Sequence, residues 1–118
     1  MLIDRDVIMR QLRFLQQLLA RALKRQQEQD FAGALDELRG GYREALGLPY
    51  EMLARVDVDS ALLLLATEAK KGAYLELLRA EVEVLRGQGD AAAAEALARR
   101  AAQVERRLAP APSKPKGA

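Results

Sequence analysis

Apolar positions along this chain recur at three- and four-residue intervals, the spacing that lays side chains on one face of an α-helix. Between Asp4 and Gln27, residues Ile8, Leu12, Leu15, Leu19 and Ala22 fall on one line, with Val7, Phe14 and Leu18 on a second line beside it. Asp4 or Asp6 suits the start of this helix, where free amides and the positive end of the dipole favour an acid, and Lys24 and Arg25 suit its end. The two lines together span roughly half the helix circumference, wider than one neighbouring helix covers. Two readings follow. Either this is a central helix touched by two partners within one domain, or its Val7, Phe14 and Leu18 side meets another chain.

Asp30 is a good N-cap for a second helix, whose inward face is Phe31, Ala34, Leu35, Leu38, Tyr42, Ala45 and Leu46. Gly40-Gly41 interrupts that face at a cost of about 1 kcal/mol per glycine relative to alanine, which predicts a close approach of another backbone or a local bend. Gly47 can take a left-handed conformation, Leu48 can pack back, and Pro49 blocks continuation, so the helix ends there. Tyr50 to Val56 reads as a short helix with Met52, Leu53 and Val56 inward. Asp57 to Ser60 offers caps for a further helix through Leu62 to Leu65, four leucines that cannot share one face. At least one of them should reach a second layer or a partner. Thr67 to Gly72 reads as a connection with Gly72 as the stop, the alternative being one helix running through. Tyr74, Leu77, Leu78, Val82 and Leu85 form the next face, with Val84 off it. Gly87-Gln88-Gly89 ends that helix, and Asp90 caps the last, which turns Ala94, Leu97, Ala98, Ala101, Val104 and Leu108 inward. The expected fold is all-α, about five to six helices in antiparallel hairpins. Residues 1–108 form one domain, and the proline-punctuated residues 109–118 form a disordered tail.

Composition narrows the chemistry. Half of the 118 residues are apolar but only five are aromatic, so leucine, valine and alanine must build the core. The chain has no cysteine and no histidine, which removes disulfides, ordinary zinc and haem sites, diiron Glu-x-x-His pairs and any histidine-based triad. Ser60, Ser113 and Thr67 are the only aliphatic hydroxyls, and no glycine-rich phosphate loop is present. No catalytic residue, metal, cofactor or small-molecule substrate is therefore expected. Glu81 shares a face with Leu77, Leu78 and Leu85, which predicts a partly buried acid paired with an arginine rather than a catalytic one. The missing cysteine and asparagine, with arginine-heavy charge, suit a thermophile or a high-GC genome.

The net charge of +2 rests on Lys114 and Lys116 in the tail; the rest is balanced. Arg99, Arg100, Arg106 and Arg107 share one side of the last helix and form a candidate phosphate-binding strip, with a solvated helix face as the ordinary explanation. No aromatic is interleaved for base stacking, so nucleic acid is the weaker alternative. There is no signal-peptide pattern, and no apolar run approaches the ~20 residues of a membrane span. A cytoplasmic protein without a membrane partner is expected.

Two resemblances add to this. The turns Gln29-Asp30-Phe31-Ala32-Gly33-Ala34 and Gly89-Asp90-Ala91-Ala92-Ala93-Ala94 resemble the inter-helix turn of tetratricopeptide repeats, and Ala45-Leu46-Gly47-Leu48-Pro49 is similar to that repeat's closing stretch. The copies lie 60 residues apart rather than the repeat's ~34, so two degenerate hairpins are implied, not an array. The opening Asp6-Val7-Ile8-Met9-Arg10, the long first helix and the two hairpins resemble a family of small uncharacterised bacterial proteins over residues 4–108. Val7 stands where that family usually has an aromatic. This resemblance implies the fold and no particular chemistry. The functional expectation is a non-enzymatic interaction module that binds itself or one protein partner through Val7, Phe14 and Leu18.

Overall fold

The computed structural model describes residues 5–109, and all regular structure among them is helical. In chain order the helices are α1 (Arg5–Gln27), α2 (Phe31–Gly40), α3 (Tyr42–Leu46), α4 (Tyr50–Ala54), α5 (Val58–Leu65), α6 (Glu68–Gln88) and α7 (Ala91–Leu108). Segments α2 and α3 form one bent helix broken at Gly41, so six helices remain when the pair is counted together. Asp4 as a cap and the tail from Pro110 onward fall outside the described residues.

The helices form two antiparallel hairpins, α1 with α2–α3 and α6 with α7, joined by the inserted α4 and α5. Helix α6 runs parallel to α1. At one end Ala69, Lys70 and Ala73 lie by Ile8 and Leu12; at the other Gln26 Nε2 donates to the Glu83 carbonyl at 3.4 Å. The helix packs on α1, α2 and α3 from one side and on α7 from the other. That sandwich explains why Val84, which lies off the apolar stripe, is as buried as Leu77 and Leu78.

The hairpins turn by the same device. The Asp30 amide donates to the Arg25 carbonyl at 2.8 Å and the Asp90 amide to the Leu85 carbonyl at 3.0 Å; each carboxylate then accepts from the amide three residues on, Gly33 or Ala93. The residue before each aspartate is left-handed, with φ of 68° at Gln29 and 88° at Gly89. Those two capped turns sit 60 residues apart, at the offset of the predicted copies.

Gly41 is close to a neighbour, but the neighbour is a side chain rather than a backbone. A Cβ there would stand 2.4 Å from Leu18 Cδ2. The predicted ends at Gly47 and Gly89 both form, each with positive φ. The stretch from Thr67 to Gly72 is not a connection. Thr67 caps α6 by accepting from the Lys70 amide at 3.2 Å, and Gly72 lies within the helix with open space around its Cα. The break instead falls at Ala66, with φ of 71° and ψ of −43°, where the Thr67 amide donates to the Leu65 carbonyl at 2.8 Å. Residues 57–87 are therefore two helices. Leu62 and Leu65 are core while Leu63 is 81% exposed, and Met52, expected inward, is exposed because the short α4 turns Leu53 and part of Tyr50 to the core instead.

Candidate functional site

Val7, Phe14 and Leu18 do not form one outer surface. Leu18 is 1% exposed and wedged against Gly41, between α2 and α3. Phe14 is half-buried against the core, with the Arg21 guanidinium 5.9 Å from its ring centroid. Only Val7 stays open, at 39% exposure, where it lines a groove of about 220 Å³ with Ile8, Gln11, Thr67, Ala69 and Lys70. Leu18 is a core residue, and the reading of α1 as touched by two partners within one domain holds there.

The arginine strip of α7 also divides. Arg99 and Arg106 are exposed, and neither forms an ion pair among the described residues. Arg107 pairs with Asp59 of α5 at 2.8 Å. Arg100 is half-buried. Its Nη2 donates to the carbonyls of Leu53 and Val56, both at 2.8 Å, and its Nε donates to the Tyr74 hydroxyl at 2.8 Å. The row seven residues long that carries Arg100 and Arg107 is turned toward the α4–α5 insertion, which uses both guanidiniums as ties. Two of the four predicted phosphate ligands are thus committed inside the fold.

The chemically richest place in the molecule lies where α3, α4, α6 and α7 meet. All three tyrosines of the chain gather there. Tyr42 meets Tyr50 edge to face at a centroid distance of 5.3 Å and Tyr74 at 6.2 Å. Arg39 lies 4.7 Å over the Tyr50 ring, a cation–π contact, while its Nε donates to Glu81 at 3.2 Å. The Tyr42 hydroxyl donates to the other oxygen of Glu81. Glu81 is 0% exposed, so the predicted interior acid–arginine pair forms with Arg39 as its partner.

Burial dominates the electrostatics of this cluster. It raises the Glu81 carboxyl above its ordinary value despite the opposing Tyr42 hydrogen bond and Arg39 charge. Burial also drives the Tyr42 phenol well above its ordinary value, and the Glu81 charge adds to that. The Tyr42 phenol therefore keeps its proton and donates it to the Glu81 carboxyl. Sealed from solvent and holding two donors, Glu81 acts as a clamp between α2, α3 and α6, because an uncompensated buried charge is costly.

Beside the clamp is a pocket of about 150 Å³, walled by Tyr42, Tyr50, Tyr74, Leu53, Leu97 and Arg100. Sequence reasoning placed Tyr42 and Tyr74 on core faces but found neither Tyr50 nor Arg100 as a wall. The acceptors of Arg100 lie 44 and 47 residues away on backbone carbonyls, which leave no mark in a side-chain pattern. Among the described residues no cluster of histidine, cysteine, aspartate or glutamate is arranged to hold a metal ion, and no helix is long and apolar enough to cross a membrane. No protein-family model, curated protein or solved structure matches this chain.

Proposed function

We propose that the protein is a non-enzymatic, cytoplasmic interaction module that self-associates through the amino-terminal end of α1. The observation that carries this reading is the apolar groove where Val7 and Ile8 meet the start of α6, with Leu12 exposed one turn further on. A helix end that leaves apolar side chains in solvent gains by covering them, at roughly 25 cal/mol per Å² removed from water. The paired aspartate turns and the parallel placement of α1 and α6 support a tetratricopeptide-like architecture, and with it the resemblance to the small bacterial helical proteins. Such hairpins commonly serve as protein-binding surfaces. A nucleic-acid role has thinner support, since Arg100 and Arg107 are spent within the fold.

Light scattering coupled to size exclusion tests the reading. The wild type is expected to run near twice its 13.0 kDa chain mass, and Val7→Asp to run as a folded monomer with unchanged helicity. Leu18→Asp serves as the contrast and is expected to unfold the chain. A wild type that stays monomeric across a hundredfold concentration range would remove self-association.

A further inference from the structure

We infer that the tyrosine-walled pocket beside Arg100 binds a carboxylate carried on a ring- or leucine-sized apolar body. This stands apart from the self-association reading, since the groove at Val7 shares no residue with it.

Size comes first. A cavity of about 150 Å³ lined by apolar side chains is enough to take a benzene-sized ligand. This pocket has that volume, with three aromatic rings and leucine side chains as its walls. It is too small for a nucleotide or a drug-sized molecule, whose sites run to about 300–1,000 Å³.

Polarity then selects the ligand's charge. Arg100 is partly withdrawn from water, yet among the described residues its three hydrogen bonds all go to neutral oxygens. A guanidinium offers five N–H donors. Nε and Nη2 use three of them, so both hydrogens of Nη1 are left without a partner. The Tyr74 hydroxyl accepts from Arg100 and still has its own proton to give. The Tyr50 hydroxyl makes no hydrogen bond among the described residues. Two carboxylates stand near: Glu81 is sealed off and already holds Arg39 and Tyr42, and Asp57 at the start of α5 feels the Arg100 charge but caps the Ser60 amide and forms no ion pair with Arg100. The guanidinium and phenol protons left over at this pocket can therefore donate, around a cation with no ion-pair partner among the described residues. A partly desolvated, unpaired cation is costly, and an incoming carboxylate lowers that cost through charge-assisted hydrogen bonds. A neutral or cationic ligand of the same shape gains only the apolar contact.

The shared chemistry has two sources, a free aromatic or branched acid and the carboxyl terminus of a polypeptide ending in an apolar residue. Every tyrosine of the chain lines this pocket, so tyrosine ring signals in proton NMR report on it without interference from elsewhere. The full chain is titrated with benzoate, with benzamide as the neutral counterpart, and with a tripeptide ending in leucine as free acid and as amide. Saturable shifts are expected with benzoate or with the free-acid peptide, at least tenfold weaker with the uncharged counterpart, and weakening as salt rises. A response to benzoate alone assigns a free acid; a response to the acid peptide assigns a polypeptide terminus. Ala54 lines the same pocket and is exposed, so substitution there spares the core. Ala54→Glu should weaken binding tenfold or more, and Ala54→Gln, of equal size, less than threefold. Equal binding of acids and amides, equal effects of the two Ala54 variants, or no saturable shift with either acid would overturn the assignment.

Discussion

The two hairpins agree in their first helices and part company in their second. Leu15, Leu18 and Ala22 of α1 are buried, and so are Leu75, Leu78 and Val82, which stand 60 residues later on α6. Ala34 and Ala94, one turn into α2 and α7, are likewise buried. Further along, Leu38 and Tyr42 are fully buried, while their counterparts on α7 are the half-buried Ala98 and Ala102. Helix α2 lies between α1 and α6, so both its flanks need large side chains. The main neighbour of α7 is α6, with a few contacts to α5, and small side chains suffice on its freer flank. The same turn and the same inner packing therefore carry two different outer helices, and neighbours decide the difference.

Breaking that contrast should give the largest effect at the sandwiched helix. Leu38→Ala is expected to cost about 2–5 kcal/mol, the range for a leucine removed from a packed core, whereas Ala98→Leu on α7 should change stability by about 1 kcal/mol or less. Urea unfolding of the two variants compares them, and equal costs would mean that the flanks are not distinct.

The capping aspartates should separate next. Asp90→Ala is expected to lose about 1 kcal/mol, the usual value of a cap, and Asp30→Ala rather more, since Asp30 also holds Arg25 at 2.8 Å. The Asp30 carboxyl lies below its ordinary 3.8, first through the Gly33 amide and then through Arg25. A lowered folded value means that its contribution is present above the unfolded value and is lost as pH falls through the folded one. The gap in melting temperature between wild type and Asp30→Ala should thus be full at neutral pH and close in strong acid. A gap that widened in acid would contradict this assignment.

The smallest effect tests the turn itself. Gln29 holds a left-handed backbone that costs a non-glycine residue about 1 kcal/mol or slightly more, while Gly89 holds it freely. Gln29→Gly should therefore stabilise by a fraction of about 1 kcal/mol once its unfolded-state entropy is counted, and Gly89→Ala should destabilise by about 1 kcal/mol. Thermal melts of the pair would show opposite signs, and shifts of the same sign would end the equivalence of the turns.

Much of the helical framework is legible in the sequence because its signals are local. Asp30, Asp57 and Asp90 mark helix starts within one turn, and Gly47 and Gly89 mark ends. The boundary at Thr67 was hidden because the break depends on Ala66 adopting positive φ, which no residue-type preference announces. Gly72 misled for the converse reason, since a glycine with open space around it is tolerated inside a long helix. The intended interface on α1 failed at Leu18 because periodicity gives a face but not the number of helices that cover it. Of the tyrosine pocket, the core-facing Tyr42 and Tyr74 could be read ahead, and beside it the buried Glu81; the convergence of Tyr50 and Arg100 is made by contacts across the fold.

The placement of α6 also sets a schedule. During synthesis the first hairpin emerges with Leu38 and Tyr42 lacking the helix that covers them, because that helix lies beyond α4 and α5. At about 5–20 residues added per second, the wait for residues 68–88 lasts seconds, far longer than the ~1 μs in which a helix forms. The nascent chain thus passes through a stage in which the apolar face of the first hairpin is left uncovered.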